Sequence, residues 1–160
     1  HMPKRDEATK LLQQLVNHTR ILLKRKQWKV GLLCEFYPKN KQLLGLNMNS
    51  GSKIMIRLRD ANDNNRFLPY ESLLGTMIHE LVHIKIHAHS YDFYKMVEDL
   101  SIEVQTDMIS SEYSEYTTEM EFGKGQILGG NTLASRKKDP KELIREATLR
   151  RNQTSDHENG

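Results

Sequence analysis

Hydrophobic residues in the first thirty positions recur three or four residues apart. Residues 6–26 place them on one side of a helix, with Asp6 and Glu7 at the start and three basic residues, 24–26, at the end. Acidic side chains near the N-terminus of a helix and basic ones near its C-terminus interact favourably with the helix dipole. The pattern therefore predicts an amphipathic helix over 6–26 that packs one face on a core.

Three segments typical of β-strands follow. Residues 30–36 are rich in β-forming residues and end before Pro38, which predicts a mostly buried strand. Apolar residues then alternate with other residues over 44–48 and again over 54–59, on either side of the turn-forming segment 49–52. We expect these last two segments to form a hairpin whose second strand has one apolar face and one largely basic face.

The rest of the pattern is mainly helical. A polar loop at 60–66 is followed by apolar residues at helical spacing, which predict one helix over 70–86 and another over 92–108. A short basic helix is predicted over 140–151. Helices around a small sheet make the fold class α+β.

Composition excludes several classes of protein. The chain has 160 residues, 37% hydrophobic and 28% charged, which suits one domain and is too apolar for a wholly disordered protein. No apolar run approaches the roughly 20 residues that cross a bilayer, so no membrane association is expected. The single cysteine, Cys34, excludes an internal disulfide and favours a reducing compartment. Residues 1–2 are interpreted as an expression scar.

The net charge of +3 conceals an uneven distribution. Residues 1–30 carry +6, residues 31–130 carry −5 and residues 131–160 carry +2. Basic ends around an acidic middle are compatible with an anionic partner that contacts the termini, and equally with helix faces kept soluble by lysine. Charge alone does not decide between the two.

One cluster of polar residues lies inside the apolar helix predicted over 70–86. His79, Glu80 and His83 form an HExxH motif. Positions four apart lie on one face of a helix, about 6 Å apart along its axis, so both imidazoles can bind one ion. Glu80 points about 100° away and reaches the attacking water rather than the ion. Because buried His and Glu side chains are costly without a ligand or partner, the motif predicts a zinc site.

A third ligand has to come from beyond the motif. His87 continues the spacing of four, but an unbroken helix would place it about 12 Å along the axis from His79, too far for Zn–N bonds of about 2.0–2.1 Å. The helix must therefore turn, and His89 can then return to the metal. Glu98 and Glu103 on the following helix are rival ligands.

A set of three neutral nitrogen ligands indicates that the metal is catalytic and not structural. They leave the fourth position of a tetrahedral zinc site open to water. Glu80 would act as general base and return the proton to the leaving amine. The sequence thus predicts a hydrolase that cleaves peptide bonds.

The substrate and the oxyanion need their own contacts. Substrates of zincin-type proteases commonly add a strand to a sheet edge above the metal. We interpret Ile54, Met55, Ile56 and Arg57 as such an edge strand, although an ordinary interior strand fits the pattern equally well. The oxyanion donor stays open among Tyr91, Tyr94, Tyr113, Tyr116 and Arg57.

Several uncommon strings of residues occur in one order and together closely resemble the WLM family over residues 8–130. The strings are EFYPKN at 35–40, LLGLN at 43–47, IMIRLR at 54–59, FLPYE at 67–71, HELVH at 79–83, DFY at 92–94 and GKGQILGG at 123–130. The family comprises DNA-dependent metalloproteases, founded on the fungal SUMO-linked repair protease and analogous in role to Spartan.

The resemblance assigns roles to individual residues. It maps His79, His83 and His89 onto the metal ligands of the family and Glu80 onto its catalytic residue. Family members have Gly-Pro immediately before the third histidine, where this chain has His87 and an alanine. The turn is therefore made here without glycine or proline, and His87 stays open as an alternative ligand.

The resemblance also implies a function. It implies a zincin-like fold with Zn²⁺ as cofactor, and cleavage both of proteins crosslinked to DNA and of the chain itself, switched on by DNA, single-stranded DNA above all. It further implies a nuclear protein, expected to be a monomer, that works with SUMO and a segregase ATPase through regions outside this chain. The WLM metalloprotease domain is placed at 3–130, and a basic or polar extension, partly disordered or helical, at 131–160.

Basic residues near both ends are the candidate DNA contacts, since they can pair with phosphates and Trp28 can stack on a base. Each set fits a solvated helix end equally well. The residues are Lys24, Arg25, Lys26, Trp28, Lys29, Arg136, Lys137 and Lys138.

Two other functions stay open. A DNA-binding or scaffolding module with a structural zinc would have a closed site of four protein ligands. A zinc peptidase with no link to DNA would fit the near-neutral total charge.

Overall fold

Three helices and three strands make up the part of the chain that the computed structural model describes, residues 2–122, with side chains as far as residue 115. The elements are α1 (Arg5–Lys26), β1 (Leu32–Glu35), β2 (Gly45–Met48), β3 (Lys53–Ile56), α2 (Tyr70–Val82) and α3 (Tyr91–Phe122). The α+β class is confirmed. The chain divides into two compact units, residues 1–100 and 101–160. The predicted helix at 140–151 and the predicted domain boundary at residue 130 lie outside the described residues.

Helix α1 confirms the amphipathic helix expected at 6–26. Its last turn closes through two hydrogen bonds, from Gln27 N–H to Lys24 O at 3.2 Å and from Trp28 N–H to Leu23 O at 3.0 Å. Gln27 has a left-handed backbone with φ of 57°, so the chain reverses without a glycine. The buried residues of α1 are Ala8, Leu15, Thr19 and Leu22. No helix in the described residues has the length and apolar content needed to cross a bilayer.

The three strands form a mixed sheet in the order β1-β3-β2. β1 runs parallel to β3, and β2 runs antiparallel to it, which confirms the predicted hairpin. Left-handed backbone angles at Asn49, Ser50 and Gly51 make the tight connection between β2 and β3.

The order of the strands corrects two predictions. β3 pairs on both sides, so the interpretation of Ile54, Met55, Ile56 and Arg57 as a substrate edge strand is wrong and the interior alternative holds. β1 lies at an edge, and Leu32 is 53% exposed, so the expectation of a mostly buried strand at 30–36 is also wrong. Within the described residues, the two sheet edges are β1 and β2.

The basic face predicted for the second hairpin strand is buried. Arg57 is 2% exposed and Arg59 is fully buried. Arg59 forms a two-pronged ion pair with Glu35 at 2.8 and 3.1 Å, which compensates the burial of its charge. Arg57 donates to the carbonyl oxygens of Pro38, Asn40 and Leu43 at 2.7–3.1 Å. Its guanidinium thus holds the loop before β2 and is no free oxyanion donor.

The core lies between the sheet and the helices. α2 packs against β2, β3 and α1, and α1 also packs against β1. Side chains from β3, from the residues just after it and from α2 dominate this core, including Ile54, Ile56, Leu58, Leu73, Leu74, Met77, Ile78, Leu81 and Val82. This packing fixes the HExxH helix directly beneath the edge strand β2.

Candidate active site

Three histidines converge at the C-terminal end of α2. Potential ligand atoms of His79, His83 and His89 all lie within 4.8 Å of one another. The Nε2 atoms of His83 and His89 are 3.1 Å apart. Two ligands of a tetrahedral zinc ion with Zn–N bonds of 2.0–2.1 Å lie about 3.3–3.4 Å apart, so this spacing suits one shared ion.

The rival third ligands are not part of this group. Among the described residues, the group of side chains able to share an ion contains the three histidines and neither His87 nor Glu98 nor Glu103. His87 is exposed. The donor set therefore fits a zinc ion with three imidazole ligands.

The chain brings His89 back because α2 ends earlier than predicted, at Val82 instead of residue 86. The N–H groups of Ile84 and Lys85 donate to the carbonyls three residues earlier, at 3.0 and 2.9 Å, which tightens the last turn. The reversal needs neither glycine nor proline. The chain can therefore reverse direction with His87 and an alanine at the two positions where family members have Gly-Pro.

Hydrogen bonding and burial prepare His83 as a ligand. Its Nδ1 lies 3.1 Å from the carbonyl oxygen of Ile86, so an N–H at this position donates to that carbonyl and leaves Nε2 as the ligand atom. Burial lowers the pKa of His83 below its ordinary value, and the hydrogen bond to Ile86 opposes this shift only partly. The neutral imidazole, which is the form that binds metal, is therefore favoured.

Phe93 forms a common support for the three imidazoles. Its ring is fully buried, with its centroid 4.8 Å from that of His79, 4.6 Å from His83 and 5.0 Å from His89. The side-chain oxygen of Ser90 accepts a hydrogen bond from Phe93 N–H at 3.3 Å, which caps the start of α3. The sequence pattern placed Phe93 only within the helix predicted over 92–108, and the DFY string was the signal that could have pointed to its role.

Glu80 is 5% exposed and lies directly against β2. A Cβ atom at Gly45 would come within 2.8 Å of both Cγ and Oε1 of Glu80, and within 2.8 Å of Thr76 Cγ2. Asn47 lies on the same face of β2 and donates from Nδ2 to the carbonyl oxygen of Glu80 at 2.7 Å. Gly45 thus leaves room for the carboxylate while Asn47 ties the strand to the helix at the same residue.

Neither role was predicted from the sequence. The signal was available in the LLGLN string, where a glycine and an asparagine two positions apart share one face of a strand. Only the packing of β2 on α2 shows what that face contacts.

Hydrogen bonds extend from this contact to the segment after α1. Asn47 Oδ1 accepts from Gly51 N–H at 2.8 Å. Gly51 O in turn accepts from Gly31 N–H at 2.9 Å. A Cβ at Gly51 would lie 2.8 Å from Lys29 O and 3.1 Å from the side chain of Ile84. The segment around Lys29 therefore borders the end of the HExxH helix.

The predicted oxyanion donors and DNA contacts differ in their exposure and in their distance from the three histidines. The ring of Tyr94 lies 6.1 Å from that of His89, whereas Tyr91 is 79% exposed. Tyr113 is 69% exposed, and the side chain of Tyr116 lies outside the described range. Among the basic residues, Lys24, Arg25, Lys26 and Lys29 are exposed and Trp28 is half-buried. The structure does not describe Arg136, Lys137 and Lys138.

A helix carrying HExxH, a histidine returning from a turn and a small mixed sheet above them define a zincin-like α+β fold. The WLM domain family model matches residues 1–119, and the chain belongs to this family.

Two curated proteins and one crystal structure illustrate the similarity of this chain to other members of the family. The chain is similar to the DNA-dependent metalloprotease WSS1 of Saccharomyces cerevisiae, with 38% identity over 128 residues, covering 80% of this chain and 46% of that protein. It is also similar to the DNA-dependent metalloprotease WSS1 homolog 2 of Schizosaccharomyces pombe, with 34% identity over 109 residues, covering 63% and 38%. The crystal structure of Wss1 from S. cerevisiae superposes with a TM-score of 0.68 at 37% identity, covering 69% of this chain and 86% of that one. The chain spans less than half the length of these two curated relatives.

The identity of the third ligand can be tested by two neighbouring alanine substitutions. His89→Ala removes one of the three imidazole ligands and should weaken zinc binding by more than about 100-fold. Loss of a residue that only supports a ligand typically costs about 10–100-fold. His87→Ala should leave zinc affinity unchanged. Competition with a chromogenic chelator measures both, and the reverse ranking would identify His87 as the ligand.

The contact of Gly45 with Glu80 predicts a specific defect. Gly45→Ala should lower peptidase activity by up to about a hundredfold, because the added methyl displaces the Glu80 carboxylate, while zinc affinity is retained. The matched control is Thr76→Ser, which removes the other contacting methyl and should remain active. Full activity of Gly45→Ala, or its rescue by Thr76→Ser, would show that the contact with Glu80 does not matter.

Proposed function

We propose that this chain is a zinc-dependent endopeptidase of low sequence specificity, activated by DNA, that cleaves proteins crosslinked to DNA and also itself. The observation that carries the proposal is the convergence of His79, His83 and His89 beside the buried Glu80. Membership of the WLM family and the names of the relatives, which are DNA-dependent metalloproteases, support the metalloprotease activity and its link to DNA. Cleavage of crosslinked proteins and of the chain itself rests on the family resemblance.

The residues of the chain divide the chemistry among them. The three histidines would hold the ion through neutral nitrogens, and Phe93 keeps their rings in place. Zn²⁺, when bound, supplies Lewis-acid activation of the water and of the peptide carbonyl. Glu80 takes the proton from the attacking water and delivers it to the amine that leaves. Burial of Glu80 under β2 holds its carboxylate in one position for both transfers.

The edge of the sheet that could bind a substrate strand is β2. Arg57 N–H donates to Leu44 O at 2.8 Å, so this is a hydrogen-bonded pair of the antiparallel ladder. By alternation, the N–H and C=O groups of Gly45 and Asn47 point away from β3. No strand in the described residues pairs with this side of β2. Main-chain hydrogen bonds at this edge would accept many sequences, consistent with low specificity.

The segment that follows α1 is the proposed DNA contact. Its exposed basic side chains, Lys24, Arg25, Lys26 and Lys29, can pair with phosphates, and the half-buried Trp28 can stack on a base. Lys29 lies next to Gly51 and Ile84, close to the end of the HExxH helix. Bound DNA would therefore lie near the active site.

A structural zinc is less well supported. That alternative requires a fourth protein ligand, whereas the group able to share an ion has three members in the described residues. Three ligands and a neighbouring carboxylate match a catalytic site.

Location and further partners are part of the proposal and rest on the family resemblance alone. We expect the protein in the nucleus, with SUMO and a segregase ATPase bound through regions outside this chain. Imaging of the tagged full-length protein and capture on immobilised SUMO test these points, and exclusion from the nucleus or absence of capture would contradict them.

Substitution of Glu80 tests the catalytic proposal. Glu80→Gln should retain zinc and DNA affinity but lower cleavage by at least about a hundredfold, because the amide cannot accept the proton. The measurement is self-cleavage on gels with zinc and single-stranded DNA. Glu71→Gln makes the same chemical change at an exposed position of α2 and should cleave normally. Undiminished cleavage by Glu80→Gln would refute the assignment.

Charge reversal tests the DNA contact. Lys24→Glu combined with Lys29→Glu should weaken binding to single-stranded DNA and reduce the salt dependence of the binding constant by about 0.7 per lost phosphate contact. DNA-stimulated cleavage should fall in parallel. Lys10→Glu with Lys39→Glu changes the net charge equally at other exposed positions. Equal losses in both double variants would assign the effect to total charge and not to this segment.

A further inference from the structure

The outer face of the sheet carries an unusual row of apolar side chains. Gly45 faces Glu80, so the next residue, Leu46, faces away from α2, together with its pairing partner Met55. Leu44 and Met48 share the face of Leu46. The exposed fractions are 41% for Leu44, 37% for Leu46 and 42% for Met48. We name these three residues the β2 outer row.

The position of the β2 outer row indicates what covers it. The three side chains flank the same strand whose main-chain groups at Gly45 and Asn47 face the open edge. A peptide that pairs with this edge places alternate side chains on the outer face, where each lies about 4.5–5.5 Å from a side chain of the β2 outer row. The intervening side chains of the peptide fall on the opposite face, where Glu80 lies. One bound strand would thus cover the row and present its backbone to the active site.

We propose that the β2 outer row is a specificity surface for extended polypeptide segments with apolar side chains at alternate positions. The proposal rests on the proposed peptidase function and on the β2 edge as its substrate site. Alternating apolar residues are typical of half-buried strands and are hidden while a protein is folded. The surface would therefore select unfolded segments of protein substrates that carry this alternation, whichever apolar residues supply it.

Two peptides of identical composition provide the test. One alternates leucine with serine over eight residues, and the other places four serines before four leucines, each flanked by lysines and carrying a fluorophore. The zinc-loaded Glu80→Gln chain binds them without cleavage, and fluorescence anisotropy gives the affinities. The alternating peptide should bind about fivefold more tightly, because each apolar side chain that lies opposite a residue of the β2 outer row stabilises the paired strand.

Variants in the Glu80→Gln chain locate the preference. Leu46→Thr with Met48→Thr should abolish it, since threonine keeps the tendency to form a strand but removes apolar surface. Leu32→Thr is the matched control, because Leu32 is 53% exposed on the same face but on β1, the other edge. It should keep the full fivefold preference.

The outcomes separate this inference from the proposed function. Equal affinity for the two peptides, or a preference that survives Leu46→Thr with Met48→Thr, overturns the specificity surface. Loss of the preference in Leu32→Thr overturns it as well, because the effect would then not lie at the β2 edge. Cleavage by the unsubstituted chain with single-stranded DNA is measured in parallel. Failure to cleave either peptide, with the binding preference intact, would contradict the proposed function while supporting the surface.

Discussion

The contact between strand β2 and helix α2 at Glu80 is the constraint on which the site depends. A strand can pass this close to the carboxylate only because Gly45 has no side chain, and Asn47 holds it there through the Glu80 carbonyl. The same two residues turn their main-chain groups to the open edge of the sheet. The contact therefore fixes the distance between the Glu80 carboxylate, the proposed proton-transferring group, and the line along which a substrate backbone would lie.

Local patterns in the sequence were sufficient to predict several of the elements around the site. The spacing of apolar residues gave α1 to within a residue, and the hairpin followed from two alternating segments around Asn49–Gly51. The convergence of His79 and His83 follows from helix geometry alone, because positions four apart share a face. His89 was reachable by argument, since three ligands cannot lie along one straight helix.

The features that the sequence did not predict depend on contacts between segments that are distant along the chain. The hairpin pattern is the same whether β3 lies at an edge or in the centre, and its position depends on the parallel pairing with β1, which no local signal encodes. The alternation predicted a basic face that includes Arg57 and Arg59, but it did not predict the burial of the two arginines. Their partners, the carbonyls of 38–43 and Glu35, come from distant segments. The support that Phe93 gives the histidines was hidden for the same reason, because a helical pattern marks burial without naming neighbours.

On the proposed function, these features together explain how a protease with little sequence preference can still be selective. A substrate strand paired with the β2 edge would be held by hydrogen bonds to its backbone, and such bonds do not distinguish one extended segment from another. A folded protein offers few such segments, and the β2 outer row would favour those whose alternating apolar residues folding normally conceals. DNA bound to the basic segment beside Gly51 would also bring its attached proteins close to Glu80 and the β2 edge, so that proteins on DNA would be cleaved in preference to others. Selectivity would then depend on whether a protein exposes an extended apolar segment and whether it is attached to DNA. A pocket that binds one type of side chain cannot distinguish substrates by either property.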